Sequence, residues 1–102
     1  MVYHVASANT VPGKDKAAEQ FLLKVAAFVN QKFPGVNSQI LRNFDGKANR
    51  MHILETWDSV GAWEVGDNQT QADPNWPILM QEAVGLFDEN SFERHFYQIV
   101  SE

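Results

Sequence analysis

The chain has 102 residues, 44% of them apolar and 21% charged, which is typical of one ordinary globular domain. Its net charge of −5 and lack of a Lys/Arg cluster argue against a nucleic-acid surface. The absence of cysteine excludes disulfides, thiolate metal sites and cysteine nucleophiles.

The first strand and the first helix are the opening elements. Residues 2–9 alternate in polarity and predict a strand, which Pro12-Gly13 ends. Over residues 14–33, apolar side chains recur at spacings of three and four, which predicts an amphipathic helix of about five turns. Pro34-Gly35 ends this helix, because proline cannot continue the hydrogen-bond ladder and glycine accepts a left-handed cap.

Two further strands follow the first helix. Residues 36–44 predict the second strand and Met51 to Trp57 the third, with Asp45-Gly46 as the start of a hairpin connection.

A second helical region and a last strand complete the chain. Asp58-Ser59 can cap a short helix, and the polar segment Asp67 to Ala72 is expected to interrupt it. Asp73-Pro74 predicts a new helix start, and one face of this helix carries Trp76, Met80, Ala83 and Phe87. Ser91 to Val100 predicts the fourth strand.

The order strand, helix, strand, strand, helix, strand predicts one ferredoxin-like α+β domain over residues 1–102, with a four-stranded antiparallel sheet and both helices on one face. The predicted strands carry apolar residues at both parities, in the pairs Ile40 and Leu41, Ile53 and Leu54, and Phe96 and Tyr97. We therefore expect a second copy to cover the other sheet face, giving a homodimer; the alternative is a monomer with an apolar sheet face.

The N-terminus lacks the pattern of a signal peptide, and no apolar stretch approaches the ~20 residues needed to cross a bilayer. We expect a cytoplasmic protein with no membrane or nucleic-acid partner.

Three histidines, His4, His52 and His95, fall on predicted strands. We expect the first and third strands to be parallel neighbours, which would place His4 and His52 side by side as candidate acid–base groups. The alternative is that each histidine is a hydrogen-bonded packing residue. No histidine spacing arranges a metal site in advance, and we expect neither a metal nor a cofactor.

Glu55 lies mid-strand, on the opposite parity to His52. It could act as a base with a raised pKa, or it could pair with Arg42 or Arg94. We favour the ion pair, because buried charges are normally paired.

Aromatic residues on the predicted helix faces turned toward the sheet suggest a pocket. A space between sheet and helices that contains one or two imidazoles would suit a flat apolar ligand, with the segment from Asp67 to Asn75 as its mouth. The candidate ligand-binding residues are Phe21, Phe28, Trp63 and Trp76.

Two stretches resemble the dimeric α/β-barrel superfamily, which includes antibiotic-biosynthesis-monooxygenase-like, haem-degrading, NIPSNAP and stress-responsive A/B-barrel proteins. One is the third strand leading into a capped helix, His52 to Ser59. The other is the opening strand with His4, followed by Pro12-Gly13-Lys14 and the long helix. This resemblance covers essentially the whole chain, and it implies the fold more specifically than the function.

Particular members of the superfamily match only in part. The stress-responsive barrels, among them a plant olivetolic acid cyclase, resemble the chain at His4 and His52. The main catalytic histidine of that cyclase follows its second helix, where residues 71–76 have none. Haem-degrading relatives use Asn, Trp and His, and only Asn9 matches, since Gly66 and Trp76 stand near the other two positions.

The resemblance implies a small-molecule pocket, in a cofactor-free enzyme of the monooxygenase or cyclase kind acting on an apolar aromatic or polyketide-like substrate. The alternative is a non-catalytic ligand-binding or structural homodimer.

Overall fold

The computed structural model describes residues 1–101, which form four strands and three helices. Their bounds are β1 (Val2–Thr10), α1 (Asp15–Lys32), β2 (Gln39–Arg42), β3 (Arg50–Trp57), α2 (Val60–Ala72), α3 (Asn75–Gln81) and β4 (Phe87–Gln98). The predicted ferredoxin-like α+β fold is confirmed, with the second helical region divided into α2 and α3. None of these helices is long and apolar enough to cross a bilayer.

The four strands lie in the order β2-β3-β1-β4, and every neighbouring pair is antiparallel. The prediction that β1 and β3 run parallel is wrong. A helical crossover makes β2 run in the same direction as β1, and the hairpin then reverses β3. His4 consequently lies opposite Glu55, and His52 lies opposite Ser7. The two histidines are therefore not side by side.

Helix α1 supplies most of the core. Its buried side chains recur at the predicted spacing and pack with Met51 of β3 on one face of the sheet: Ala18, Phe21, Leu22, Val25 and Val29. Burying an apolar side chain of this size contributes about 1.5–3 kcal/mol. The stripe of apolar residues therefore determines which face of α1 meets the sheet.

Helix α2 differs from the sequence prediction because it continues to Ala72 without interruption. Ser59 caps it as predicted, since its Oγ accepts a hydrogen bond from the Ala62 N–H at 3.0 Å. The polar segment 67–72 remains helical because only one side of the helix faces the sheet, and Thr70 is its buried residue there. The polar residues of this segment therefore form the outer face of a helix and not a loop.

Two strand boundaries also differ from the prediction. Strand β2 begins only at Gln39, because Asn37 has a positive φ of 55° and the Asn30 side chain bonds both the N–H and the C=O of Ser38. Strand β4 begins at Phe87, which pairs with Thr10. Phe87 therefore belongs to the sheet and not to the preceding helix.

Candidate functional site

A cavity of about 540 Å³ lies between the sheet and the helices. Its floor includes Ala6 and Ala8 of β1, which point to the same face as His4. Because these two side chains are small, the helices do not fill the space above β1. Most of the lining is apolar, and the volume suits a small organic ligand.

Three of the four predicted ligand-binding residues, Phe21, Trp63 and Trp76, line this cavity. Phe28 lies outside the lining and packs behind Trp76, with ring centroids 5.4 Å apart. The segment expected to form a loop at the mouth is largely helical, and it contributes Asp67 and Thr70 to the wall.

His4 is buried at one end of the cavity and takes part in two hydrogen bonds. Its Nδ1 lies 3.0 Å from Glu55 Oε1, and its Nε2 accepts a hydrogen bond from Arg94 Nε at 2.9 Å. Because arginine can only donate, Nε2 carries a lone pair, and the ring proton resides on Nδ1 and is donated to Glu55. Glu55 Oε1 also accepts a hydrogen bond from Trp57 Nε1 at 3.1 Å. A buried carboxylate therefore orients the imidazole with its basic nitrogen toward Arg94.

Aromatic rings surround the His4 imidazole. The centroids of Trp63 and Phe96 lie 5.0 and 5.1 Å from it, and the Arg94 guanidinium carbon lies 5.1 Å from the Trp63 ring. These contacts hold the imidazole in a fixed orientation at the cavity wall.

The predicted ion pair between Glu55 and an arginine is wrong. Arg42 pairs instead with Glu19 at 3.6 Å, and Arg94 reaches Glu55 only through the His4 ring. The prediction of Arg42 or Arg94 as the partner rests on the rule that a buried carboxylate pairs with a nearby cation. The cross-strand register places His4 directly opposite Glu55, and the imidazole occupies that position.

His52 points to the other face of the sheet, away from the cavity. Ser7 Oγ lies 2.6 Å from its Nδ1, and Asn43 Oδ1 lies 2.6 Å from its Nε2. With the amide oxygen accepting from Nε2–H, Nδ1 accepts from the serine hydroxyl. Burial and the neighbouring Arg50 guanidinium both lower the pKa of His52. The structure thus separates the two histidines that the sequence grouped together.

We expect the stability of the protein to fall as the pH falls below about 6.5. In this range the unfolded chain binds a proton at His52 while the folded chain, with its lowered pKa, resists it, so protonation favours unfolding until the folded pKa is reached. Urea unfolding at pH 7.5 and 5.5 measures the difference. The His52→Gln variant should show a smaller pH dependence than the wild type, and equal pH dependence in both proteins would contradict this assignment.

His95 is exposed on the same face as His52, where its Nε2 lies 3.0 Å from Glu93 Oε2. The His95 hydrogen bond and the Arg50 charge lower the pKa of Glu93. His4 lies on the opposite face, so the three histidines cannot share one metal ion. Over the described residues 1–101, no cluster of three or more His, Asp or Glu side chains could hold a metal ion.

Sequence reasoning missed several residues of the site. The sequence predicts a role for Arg94 only as a partner of Glu55, and it does not single out Trp57 or Phe96 as site residues. The alternation Phe92, Arg94, Phe96 on one strand was the available signal, because these residues share a sheet face. A second signal is the presence of two small residues, Ala6 and Ala8, on the same face of the first strand, because small side chains leave space between the sheet and the helices.

Solved structures provide the comparison with known proteins. A NIPSNAP domain protein of uncharacterised function from Burkholderia xenovorans superposes with a TM-score of 0.81 at 12% identity, covering 99% of this chain and 96% of that chain. A NIPSNAP family protein of unknown function from Agrobacterium tumefaciens gives a TM-score of 0.79 at 14% identity, with 95% and 86% covered. A candidate antibiotic biosynthesis monooxygenase from Deinococcus radiodurans gives 0.72 at 15% identity, with 100% and 95% covered.

The shared property is the fold. The chain has the ferredoxin-like fold of NIPSNAP proteins and of candidate antibiotic biosynthesis monooxygenases, as the sequence resemblance predicted. The sequence identity to these structures is only 10–16%, so the shared fold does not indicate a shared activity. The sequence matches no protein-family profile and is not significantly similar to any curated protein.

Proposed function

We propose that the chain binds a flat, apolar small molecule in the cavity and acts on it as a cofactor-free enzyme, with His4 as the general base. The observation that carries the proposal is the pairing of a mostly apolar cavity with one imidazole that a buried carboxylate orients. A carboxylate bonded to Nδ1–H stabilises the imidazolium that forms when Nε2 takes a proton.

In the structure the Nε2 lone pair of His4 accepts a hydrogen bond from Arg94 Nε–H, so the ligand must first displace this donor. The first chemical step is then removal of a proton from an acidic C–H or O–H group of the ligand by His4 Nε2. The ligand retains the electron pair as an anion, and Glu55 compensates the new charge on the ring. In a cyclisation the resulting carbanion attacks a carbonyl group of the same molecule. In an oxygenation it reacts with dioxygen, one oxygen atom entering the product as a carbonyl and the other leaving as water, with the substrate as the reductant.

His52, the other candidate acid–base residue, has no part in this proposal, because its side chain lies on the sheet face away from the cavity and bonds Ser7 and Asn43.

Replacing His4 should abolish turnover while leaving the cavity in place. With 1,8-dihydroxyanthrone, a flat molecule with an acidic CH₂ group, as the probe under air, we expect oxygen uptake by the wild type and a loss of about 10²–10⁴-fold in the His4→Leu variant. The control is Glu82→Gln, whose exposed side chain pairs with Lys24 and lies outside both the cavity and the sheet. Melting temperatures of both variants separate a catalytic loss from unfolding.

The alternative function is non-catalytic binding, which the same cavity also favours. Native mass spectrometry of the gently purified protein, followed by denaturation, tests it. A released organic mass without oxygen uptake on any flat probe would favour a binding protein. Absence of binding and of turnover would contradict both functions and leave a structural module.

We also propose that a second copy of this chain covers the sheet face away from the helices. This face carries Tyr3, Val5, Leu41, Leu54 and Tyr97, of which Tyr3, Leu41 and Tyr97 are exposed in the single chain. Large contiguous apolar patches are uncommon on the surfaces of monomeric proteins, which favours a partner on this face. A second copy fits, because a two-fold axis brings the same face of both copies together.

A charge placed in the middle of this face should dissociate the dimer. We expect the wild type to sediment as a dimer and Leu54→Asp as a monomer, because a carboxylate buried without a partner is unfavourable. The control is Ile78→Asp, which changes an equally apolar side chain that is 65% exposed on α3. A monomeric wild type, or equal dissociation by both substitutions, would contradict the proposed interface.

A further inference from the structure

Arg94 is the cationic side chain of the cavity lining. Its Nε donates to His4 Nε2 at 2.9 Å, and its guanidinium carbon lies 5.1 Å from the Trp63 ring and 5.5 Å from the Phe92 ring. Packing against two aromatic rings fixes the plane of the guanidinium and lowers the entropy lost when it binds a ligand.

The remaining donors of Arg94 have no partner among the residues that the structure describes. Arg42 and Arg50 pair with Glu19 and Glu93 at 3.6 and 3.3 Å, whereas Arg94 has no carboxylate within 4 Å among residues 1–101. Its two Nη groups therefore leave four N–H donors free. Arg94 is exposed, so water occupies these donors in the free protein and a ligand can replace it.

The acidic residues of the lining do not cancel this charge. Asp88 pairs in register with Asn9, whereas Arg94 pairs with Ala6. These two positions are three residues apart along β1, which is about 10 Å. Asp67, on α2, also lines the cavity but forms no ion pair with Arg94. Glu89 follows Asp88 in the chain and also forms no ion pair with Arg94.

Glu55 is the carboxylate at the His4 end, but its Oε1 accepts hydrogen bonds from His4 and Trp57, and the imidazole lies between it and Arg94. A ligand anion at this end would therefore contact the guanidinium and not Glu55.

We infer that the ligand of this cavity is an aromatic molecule with an anionic oxygen, a carboxylate or a phenolate, which the Nη groups of Arg94 bind. This inference rests on the proposed small-molecule function of the cavity. The planar fork of an arginine matches two oxygens of one carboxylate, and a charge-assisted pair of hydrogen bonds orients the ligand as well as holding it. Bound in this way, the atoms beside the anionic group lie next to His4, and the aromatic body extends toward Phe21.

The test compares two isosteric probes by isothermal titration calorimetry: 2-naphthoate, which is anionic, and 2-naphthamide, which is neutral. We expect the wild type to bind naphthoate about 10–100-fold more tightly, because a hydrogen bond to a charged group contributes about 1.5–3 kcal/mol. In Arg94→Gln, naphthoate should bind no more tightly than naphthamide, while the affinity for naphthamide stays within about 2-fold.

Two further variants keep the result interpretable. Arg42→Gln, which removes an arginine outside the cavity, should retain the full preference for naphthoate. Arg94→Lys keeps the positive charge but lacks the planar pair of donors, so it should retain part of the preference for naphthoate. If melting curves show that Arg94→Gln is unfolded, the affinities of Arg94→Lys for the two probes test the anion site instead.

Equal affinity of the wild type for the two probes would overturn the anion site and leave the proposed small-molecule pocket standing. An undiminished preference for naphthoate in both Arg94 variants would also overturn it. Failure of the wild type to bind either probe would overturn the anion site together with the pocket.

Discussion

Replacing Gly66 with alanine should destabilise the protein by about 1–3 kcal/mol, although alanine is the better helix former. Gly66 lies buried on α2 against the indole of Trp57, and a Cβ atom at this position would lie 2.7 Å from the ring carbon Cζ3. The ring cannot move freely aside, because it packs edge-on against Phe33 at 5.3 Å and donates its N–H to Glu55.

Gly61→Ala is the matched control, because Gly61 lies on the same helix and a Cβ there comes no closer than 3.7 Å to Ser59 Oγ. We expect this variant to be unchanged or stabilised by up to about 1 kcal/mol. Urea unfolding of both variants measures the difference. If Gly66→Ala is as stable as Gly61→Ala, then the contact between α2 and Trp57 does not constrain the helix.

The second large effect concerns Glu55, whose Oε1 accepts hydrogen bonds from both His4 and Trp57. In Glu55→Met, both N–H donors lose their acceptor. An unsatisfied buried donor costs about 1–3 kcal/mol, so we expect the loss of both acceptor contacts to lower the free energy of unfolding by about 2–6 kcal/mol. Turnover should fall by about 10²–10⁴-fold, because nothing then orients the imidazole.

Glu55→Gln separates the charge of this residue from its hydrogen bonds. Both donors converge on one oxygen, so a single amide oxygen can accept both, and we expect stability within about 1 kcal/mol of the wild type. Turnover should still fall, because the neutral amide does not stabilise an imidazolium. Full turnover in Glu55→Gln would show that the carboxylate charge takes no part in the chemistry. The stability control is Glu82→Gln, whose exposed carboxylate pairs only with Lys24.

The sequence by itself determined the fold, because the signals that specify it are local. The apolar stripe of α1, the breaks at Pro12-Gly13 and Pro34-Gly35 and the Ser59 cap each depend on residues close together in the chain. The candidate aromatic residues Phe21, Trp63 and Trp76 were predicted for the same reason, since helical spacing alone places them on the face toward the sheet. Where the local signal was ambiguous, as in the polar segment 67–72, the prediction was wrong.

The tertiary structure decided the site, because the contacts that form it join residues far apart in the sequence. His4 and Glu55 are 51 residues apart, and His4 and Arg94 are 90 apart. Strand direction placed Glu55, not His52, opposite His4, and the alternation of the strand placed His52 on the other face. Register and strand direction depend on the whole sheet, so the composition and spacing of a single strand cannot specify which side chains meet across it.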